Sequence, residues 1–140
     1  MKSKAVTPAF VDIIPDQLEE GILYICDRYN IAIHQCCCGC GEEVVTPLTS
    51  ADWSVRKEGK NVSLSPSIGN WSFACRSHYW IHRNQVIWAG AMTQKQIALV
   101  KAKDKADKEA YITAVNSQKE LQAESLFTKL WRVAIRWLQK

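Results

Sequence analysis

Short apolar runs separated by turn-forming residues fill the first two thirds of the chain. Ile22–Cys26 and Ile31–His34 are the clearest, and Asp27-Arg28-Tyr29-Asn30 between them has the composition of a turn. The same pattern predicts further short strands over residues 10–14, 43–48, 53–56, 62–65, 78–81 and 85–88. Glycine and asparagine within residues 57–61, and Arg83-Asn84 near the end, predict two hairpins. Short strands at this spacing predict a small, mostly antiparallel sheet or half-barrel.

Two stretches in the same region follow other patterns. Residues 15–21 begin with a proline, continue with acidic residues and end at a glycine, which predicts one helical turn. Residues 66–71 contain a proline and a glycine and predict a loop.

The pattern becomes helical after Gly90. Thr93 is a suitable N-cap, and residues 93–115 are rich in Ala, Lys and Gln without glycine or proline. Residues 125–140 carry an apolar stripe at helical spacing, opposite a basic face. The stripe consists of Phe127, Leu130, Trp131, Ala134, Ile135 and Leu138. We therefore predict an α+β fold, in which a β domain over residues 1–90 precedes a helical segment over residues 91–140. That segment either packs on the β domain or docks a partner.

The length of 140 residues fits one domain. Charged residues are distributed unevenly along it. Residues 1–90 carry 8 basic and 9 acidic side chains, whereas residues 91–140 carry 10 basic and 5 acidic ones. A solvated helix face accounts for the basic excess, and the acidic balance of the sheet region argues against nucleic acid. The basic N-terminus is not followed by an apolar segment, and no apolar run approaches the roughly 18 residues of a membrane span. The sequence predicts a cytoplasmic protein without a membrane partner.

The densest chemical feature is His34-Gln35-Cys36-Cys37-Cys38-Gly39-Cys40-Gly41, and Cys75 follows 35 residues later. Closely spaced thiolates suit a tetrahedral zinc ion, which a distant ligand such as Cys75 would complete. In an extended segment, His34, Cys36, Cys38 and Cys40 would share one face, leaving Cys37 as the first residue to exclude. Either His34 or one cysteine is still left over. Buried free thiols and a disulfide framework are the alternatives, and neither explains so tight a cluster in a reducing compartment.

A serine and a histidine flank Cys75 in the sequence. Ser67 lies on the predicted glycine-containing loop, where neighbouring amides can bind an oxyanion, and His78 follows Cys75 by three residues. A serine needs a base such as histidine to become a nucleophile. The spacing permits this pairing, but it equally permits a turn-capping serine and a structural or metal-bound histidine.

Several longer motifs resemble a family of small bacterial proteins found in bacterial ubiquitination-like (Bub) operons, which also encode ubiquitin-like, E1-like and E2-like proteins. The resemblance covers about 80 of the 140 residues. Its motifs are Val11-Asp12-Ile13-Ile14-Pro15, Leu18-Glu19-Glu20-Gly21-Ile22-Leu23-Tyr24, the cysteine run with His34, Val45-Thr46-Pro47-Leu48, Ser63-Leu64-Ser65-Pro66-Ser67-Ile68-Gly69-Asn70-Trp71 and Ser77-His78-Tyr79-Trp80-Ile81.

The resemblance implies a zinc-containing serine peptidase acting at the C-terminal tail of a ubiquitin-like protein, in maturation or deconjugation. It implies Ser67 as nucleophile and His78 as base. It assigns a structural zinc ion to Cys36, Cys38, Cys40 and Cys75.

Several parts of the site stay open in the sequence. Gly69 and Asn70 are candidates for supporting the oxyanion, and His34, Glu43 and Asp52 for orienting His78. His34 is also the alternative metal ligand. A zinc-stapled adaptor for a ubiquitin-like or E2-like protein needs the cysteines but not Ser67 or His78. A zinc-dependent hydrolase would instead use His34 with two or three cysteines and leave a position for water.

Overall fold

Eight strands and one long helix make up the protein in a computed structural model, which describes the backbone of residues 1–138 and the side chains of residues 1–132. The chain divides into two compact units, Met1–Ile97 and Ala98–Lys140. The elements are β1 (Thr7–Phe10), β2 (Ile22–Cys26), β3 (Ile31–Gln35), β4 (Glu43–Pro47), β5 (Ser54–Glu58), β6 (Asn61–Gly69), β7 (His78–His82), β8 (Gln85–Trp88) and α1 (Gln94–Leu138).

The strands form two four-stranded sheets rather than one sheet or a half-barrel. The first has the order β1-β2-β3-β4 and the second the order β5-β6-β7-β8, and every neighbouring pair is antiparallel except β1 and β2. Residues 4–6 hydrogen-bond to the second sheet beside β8, and the chain then enters the first sheet as β1. One segment thus ties both sheets together, and the predicted mostly antiparallel β architecture is confirmed.

The two sheets share one hydrophobic core. Inward-facing residues of both contribute to it, and Leu23, Ile25, Tyr79 and Ile81 are completely or almost completely buried. Alternation along β7 buries Tyr79 and Ile81 and leaves His78 and Trp80 on the opposite face. The outer face of the second sheet can therefore carry polar chemistry while its inner face supplies stability.

Residues 11–21 form neither the predicted strand nor the predicted helical turn. β1 ends at Phe10, and the following segment crosses the outer face of the first sheet in bends and turns. There Leu18 packs with Tyr24 and Ile33 in a second, smaller apolar cluster, which Val11 and Ile14 border. Burial of these apolar side chains prevails over the local helix and strand signals.

The hairpins predicted in the second half are confirmed. β5 and β6 pair across residues 59–60, and β7 and β8 pair across Arg83 and Asn84, both of which have positive φ. The predicted loop over residues 66–71 is largely strand, because β6 continues to Gly69. Proline in this strand coincides with a register shift between Leu64 and Ile68.

The helix is continuous where the sequence predicts two separate segments. Thr93 and Gln96 exchange hydrogen bonds at its start, as in a capping box, so the predicted N-cap is confirmed. No glycine or proline interrupts residues 116–124, which explains the continuity. Phe127, Leu130 and Trp131 are exposed, whereas the side chains of Ala134, Ile135 and Leu138 lie outside the described residues. Within the described part of the chain, no helix has the length and apolar character that crossing a membrane requires.

The outer cluster of the first sheet can be tested by one pair of substitutions. Leu18 is 8% exposed and Ile13 is 69% exposed on the same segment. We expect Leu18→Ala to lower the free energy of unfolding by about 2–5 kcal/mol, the usual cost of truncating a buried aliphatic side chain. Ile13→Ala should change it by less than about 0.5 kcal/mol. Equal effects in urea denaturation would contradict the packing of this segment on the sheet.

Candidate active site and metal centre

Four cysteines from two distant segments meet at one place. The Sγ atoms of Cys36, Cys38, Cys40 and Cys75 all lie within 4.8 Å of one another. The first three come from the turn between β3 and β4, and Cys75 comes from the loop between β6 and β7. Gly39 and Gly41 both have φ of +83°, a conformation that lets the chain turn back between the cysteines.

The spacing of the sulfur atoms matches a tetrahedral metal site. Sγ–Sγ distances are 3.4 Å for Cys36–Cys38, 3.9 Å for Cys36–Cys75 and 3.8 Å for Cys40–Cys75. A zinc–sulfur bond of about 2.3 Å places sulfur atoms about 3.8 Å apart at the corners of a tetrahedron. The four thiols can therefore hold a metal ion, and their chemistry suits a soft or borderline one.

The other two cysteines lie apart from this group. Cys37 is buried, and burial raises the pKa of its thiol to about 11, so it stays protonated. Cys26 is buried in β2 and donates a hydrogen bond to the carbonyl oxygen of Asp12. β3 ends at Gln35, so the cysteines lie on a turn and not on the extended segment assumed from the sequence. The sulfur atoms that group together nevertheless leave out Cys37, as predicted.

His34 takes neither of the roles predicted for it, which were metal ligand and partner of His78. It is 1% exposed, its Nε2 lies 2.9 Å from the Tyr79 hydroxyl, and the metal-competent group does not include it. Burial lowers the pKa of His34 to about 4, so the ring is neutral at physiological pH. The structure therefore brings His34 neither to the sulfur atoms nor to the ring of His78.

A buried hydrogen-bond network connects the cysteines to the second sheet. The side-chain amide of Asn70 donates to the Ser77 hydroxyl at 2.8 Å, and it also contacts Cys36 Sγ at 3.6 Å and the Tyr79 hydroxyl at 3.5 Å. Ser77 in turn shares a hydrogen bond of 3.1 Å with Cys36 Sγ. The Asn70 side chain thus supports the cysteine loop, and an oxyanion role would require it to leave these partners.

Ser67 and His78 come together on the outer face of the second sheet. Ser67 Oγ lies 3.0 Å from His78 Nε2, which is hydrogen-bonding distance. Gly69 pairs with His78 in the ladder of β6 and β7, so adjacent strands carry the two side chains. Burial lowers the pKa of His78, which favours the neutral imidazole that can accept a proton.

A bulge in β6 determines which residues of β7 lie opposite Ser67. Leu64 pairs with Ile81 and Ile68 pairs with Tyr79, so three residues of β6 lie opposite Trp80 alone. Bulges of this kind re-aim side chains and are frequent beside active sites. Here the residue before the buried Ile68 is Ser67, which lies half-buried next to the His78 ring.

The candidates for a third catalytic residue do not reach the base. His78 Nδ1 is buried and has no hydrogen-bond partner among the described residues. Glu43 is exposed on β4, where it pairs with Gln35, and Asp52 accepts a hydrogen bond from Thr49.

Two aromatic rings contact His78 instead. The Trp71 ring lies 4.9 Å and the Trp80 ring 5.3 Å from it, centroid to centroid. Trp71, Ser77 and Trp80 lie within the family motifs, but the sequence pattern alone assigned them no role. Strand alternation along β7 would have predicted that Trp80 shares a face with His78.

A protein-family model described as "Bacterial ubiquitination-like system serine protease (BubE)" matches residues 10–89. The chain belongs to this family. The match confirms the resemblance seen in the motifs, and it includes Ser67, His78 and all four clustered cysteines. It ends before α1, which begins at Gln94. No curated protein and no solved structure matches the chain.

Metal removal distinguishes the clustered cysteines from their buried neighbour. We expect Cys75→Ser to lose the metal and to lower the melting temperature strongly, because structural zinc contributes on the order of 10 kcal/mol to folding in small domains. Cys37→Ser should keep one equivalent of metal, with a loss of about 1 kcal/mol typical of a single substitution. Elemental analysis and thermal unfolding measure both effects. Metal-free protein that melts at the same temperature as the purified protein would contradict a structural metal.

Proposed function

We propose that the protein is a serine peptidase that cleaves the peptide bond after the C-terminal residue of a ubiquitin-like protein. The observation that carries this proposal is the 3.0 Å contact between Ser67 Oγ and His78 Nε2 within the region that matches a serine protease family. Membership of a bacterial ubiquitination-like system supports the choice of a ubiquitin-like tail as substrate. E1-like and E2-like proteins of the same system are candidate further partners.

In the first half of the reaction, Ser67 attacks the scissile carbonyl while His78 takes its proton. Before the attack, Ser67 donates a hydrogen bond to Nε2 of the neutral ring, which carries its own proton on Nδ1. The resulting imidazolium gives the proton to the leaving amine, which departs and leaves the tail as an ester on Ser67. In the second half, His78 deprotonates a water molecule that attacks this ester, and the imidazolium returns the proton to Ser67 Oγ as the tail leaves with a free carboxylate.

Backbone amides near Ser67 are the proposed donors to the oxyanion. The amide of Asn70 already donates to the Ser77 carbonyl, across the ladder toward β7. Alternation along the strand then directs the Gly69 amide away from β7. This orientation supports Gly69 as an oxyanion donor, and it supports Asn70 as a residue that braces the loop.

The proposed metal is zinc, held by Cys36, Cys38, Cys40 and Cys75. Four thiolate ligands fill a tetrahedral shell and leave no position for a catalytic water, so the ion would have a structural role and link the two cysteine segments. The observation that disfavours the zinc-hydrolase alternative is that His34 contacts Tyr79 rather than the sulfur atoms.

Removing the nucleophile and the base tests the proposal. We expect Ser67→Ala and His78→Ala each to abolish cleavage of a ubiquitin-like protein with an extended C-terminus, and the double variant to be no slower, since the two groups act as a unit. Intact mass spectrometry of both chains measures cleavage and identifies the bond. A fluorophosphonate probe should label Ser67 in the wild type.

The matched control is Ser63→Ala, which changes a serine of the same strand that accepts a hydrogen bond from the Arg83 amide. It should cleave at nearly the wild-type rate. Wild-type cleavage by Ser67→Ala would refute the mechanism. Binding of the ubiquitin-like protein without any cleavage would favour the adaptor alternative.

The pKa of His78 predicts the pH dependence. Burial lowers this pKa below its ordinary value of 6.5, so the neutral base persists at lower pH than for a free histidine. As pH falls, kcat/KM should decrease through an ionisation with its midpoint below 6.5, because protonation removes the base. The exposed His82 provides the control, and His82→Asn should give the same profile. A midpoint above 6.5 would contradict the prediction.

A further inference from the structure

The base of the proposed pair contacts two indole rings. Trp71 comes from the loop after β6, and Trp80 lies two residues after His78 on the same face of β7. The Trp71 and His78 rings meet at an interplanar angle of 60°, and the His78 and Trp80 rings at 38°. Two aromatic contacts from different elements restrict rotation of the imidazole about the bonds of its own side chain.

Trp71 owes its position to a glycine. A Cβ atom on Gly69 would lie only 2.4–2.6 Å from three atoms of the Trp71 indole, so the ring covers the place where a side chain would be. Gly69 is also the ladder partner of His78. The glycine thus provides a flat surface beside the histidine, and the indole rests on that surface against the imidazole.

Among the described residues, no carboxylate hydrogen-bonds to Nδ1 of His78 to orient the ring. In a Ser-His-Asp triad, the carboxylate binds Nδ1–H and fixes both the tautomer and the orientation of the ring. His78 Nδ1 is buried without such a partner. The requirement for an oriented base nevertheless remains, since misplacing a catalytic group by about 1 Å can cost on the order of 10²-fold in rate.

We propose that Trp71 and Trp80 are positioning residues that hold the His78 imidazole against Ser67 in place of an acidic third residue. The inference rests on the proposed function, in which His78 acts as the base. The two ring contacts, with centroids 4.9 and 5.3 Å from that of His78, thereby supply the orienting role of the missing carboxylate.

The test compares the same substitution at three tryptophans. Trp71→Leu and Trp80→Leu remove a ring that contacts His78, whereas Trp88→Leu removes a ring that contacts Tyr79 and serves as the control. The first readout is the rate at which a fluorophosphonate labels Ser67, measured at a temperature where every variant is folded. We expect at least about a tenfold decrease for Trp71→Leu and for Trp80→Leu, with a near wild-type rate for Trp88→Leu. Trp71→Phe, which restores an aromatic face, should recover most of the rate.

The second readout observes the histidine directly. Imidazole nitrogen NMR signals of His78, assigned with His78→Ala, should report a single tautomer protonated on Nδ1 in the wild type. Trp71→Leu and Trp80→Leu should shift these signals toward the average of a free ring, whereas Trp88→Leu should not.

The two readouts separate failure of the inference from failure of the proposed function. Wild-type labelling rates and unchanged His78 signals in Trp71→Leu and Trp80→Leu would overturn the positioning role. Equal losses in all three leucine variants would also overturn it, because they would reflect general destabilisation. If the wild type is not labelled at all, the proposed function fails, and the NMR comparison alone decides whether the two rings hold His78.

Discussion

The meeting of Cys75 with the turn after β3 is the constraint on which the rest of the structure depends. That turn belongs to the first sheet, and Cys75 lies on the loop that joins β6 to β7 in the second. The same loop separates Ser67 from His78 in the chain. Whatever fixes Cys75 therefore limits how β6 and β7 can approach each other. A metal at the four sulfur atoms would restrain the proposed catalytic pair without taking part in its chemistry.

Buried hydrogen bonds connect the cysteine loop to the interior of the second sheet. Asn70 and Ser77 bracket the loop, their backbones pair with each other, and their side chains bond to each other and to Cys36. Tyr79 extends the network to His34. Such a network favours a single arrangement, because any other leaves buried groups without partners. Asn70 and His34 are candidates for catalytic or metal-binding roles in the sequence. In the structure they belong to the hydrogen-bonded framework that supports the proposed catalytic pair.

The sequence predicted most of what depends on local signals. Turn residues with positive φ defined the last hairpin, and closely spaced thiols defined the cluster. Among the features that depend on distant partners, the approach of Cys75 to the cysteine cluster was predicted from thiol chemistry, and most others were not predictable. The division into two sheets follows from ladder pairing, and Pro66 and Gly69 concealed the continuation of β6 as a strand. The aromatic surroundings of His78 combine a loop residue, Trp71, with a strand neighbour, Trp80, and only the folded chain shows them together.

The bulge in β6 has a consequence for how this protein can change in evolution. Leu64 and Ile68 both face the core and have ladder partners on either side of the bulge, so a deletion within Ser65–Ser67 would leave a smaller bulge between two paired positions. Only two residues would then separate two inward-facing side chains, which strict alternation between the faces of a strand does not allow. The paired core positions would stay in place, and the direction of the residue before Ile68 would change. A single-codon deletion in this stretch would therefore act on the proposed nucleophile and leave the interior of the sheet intact.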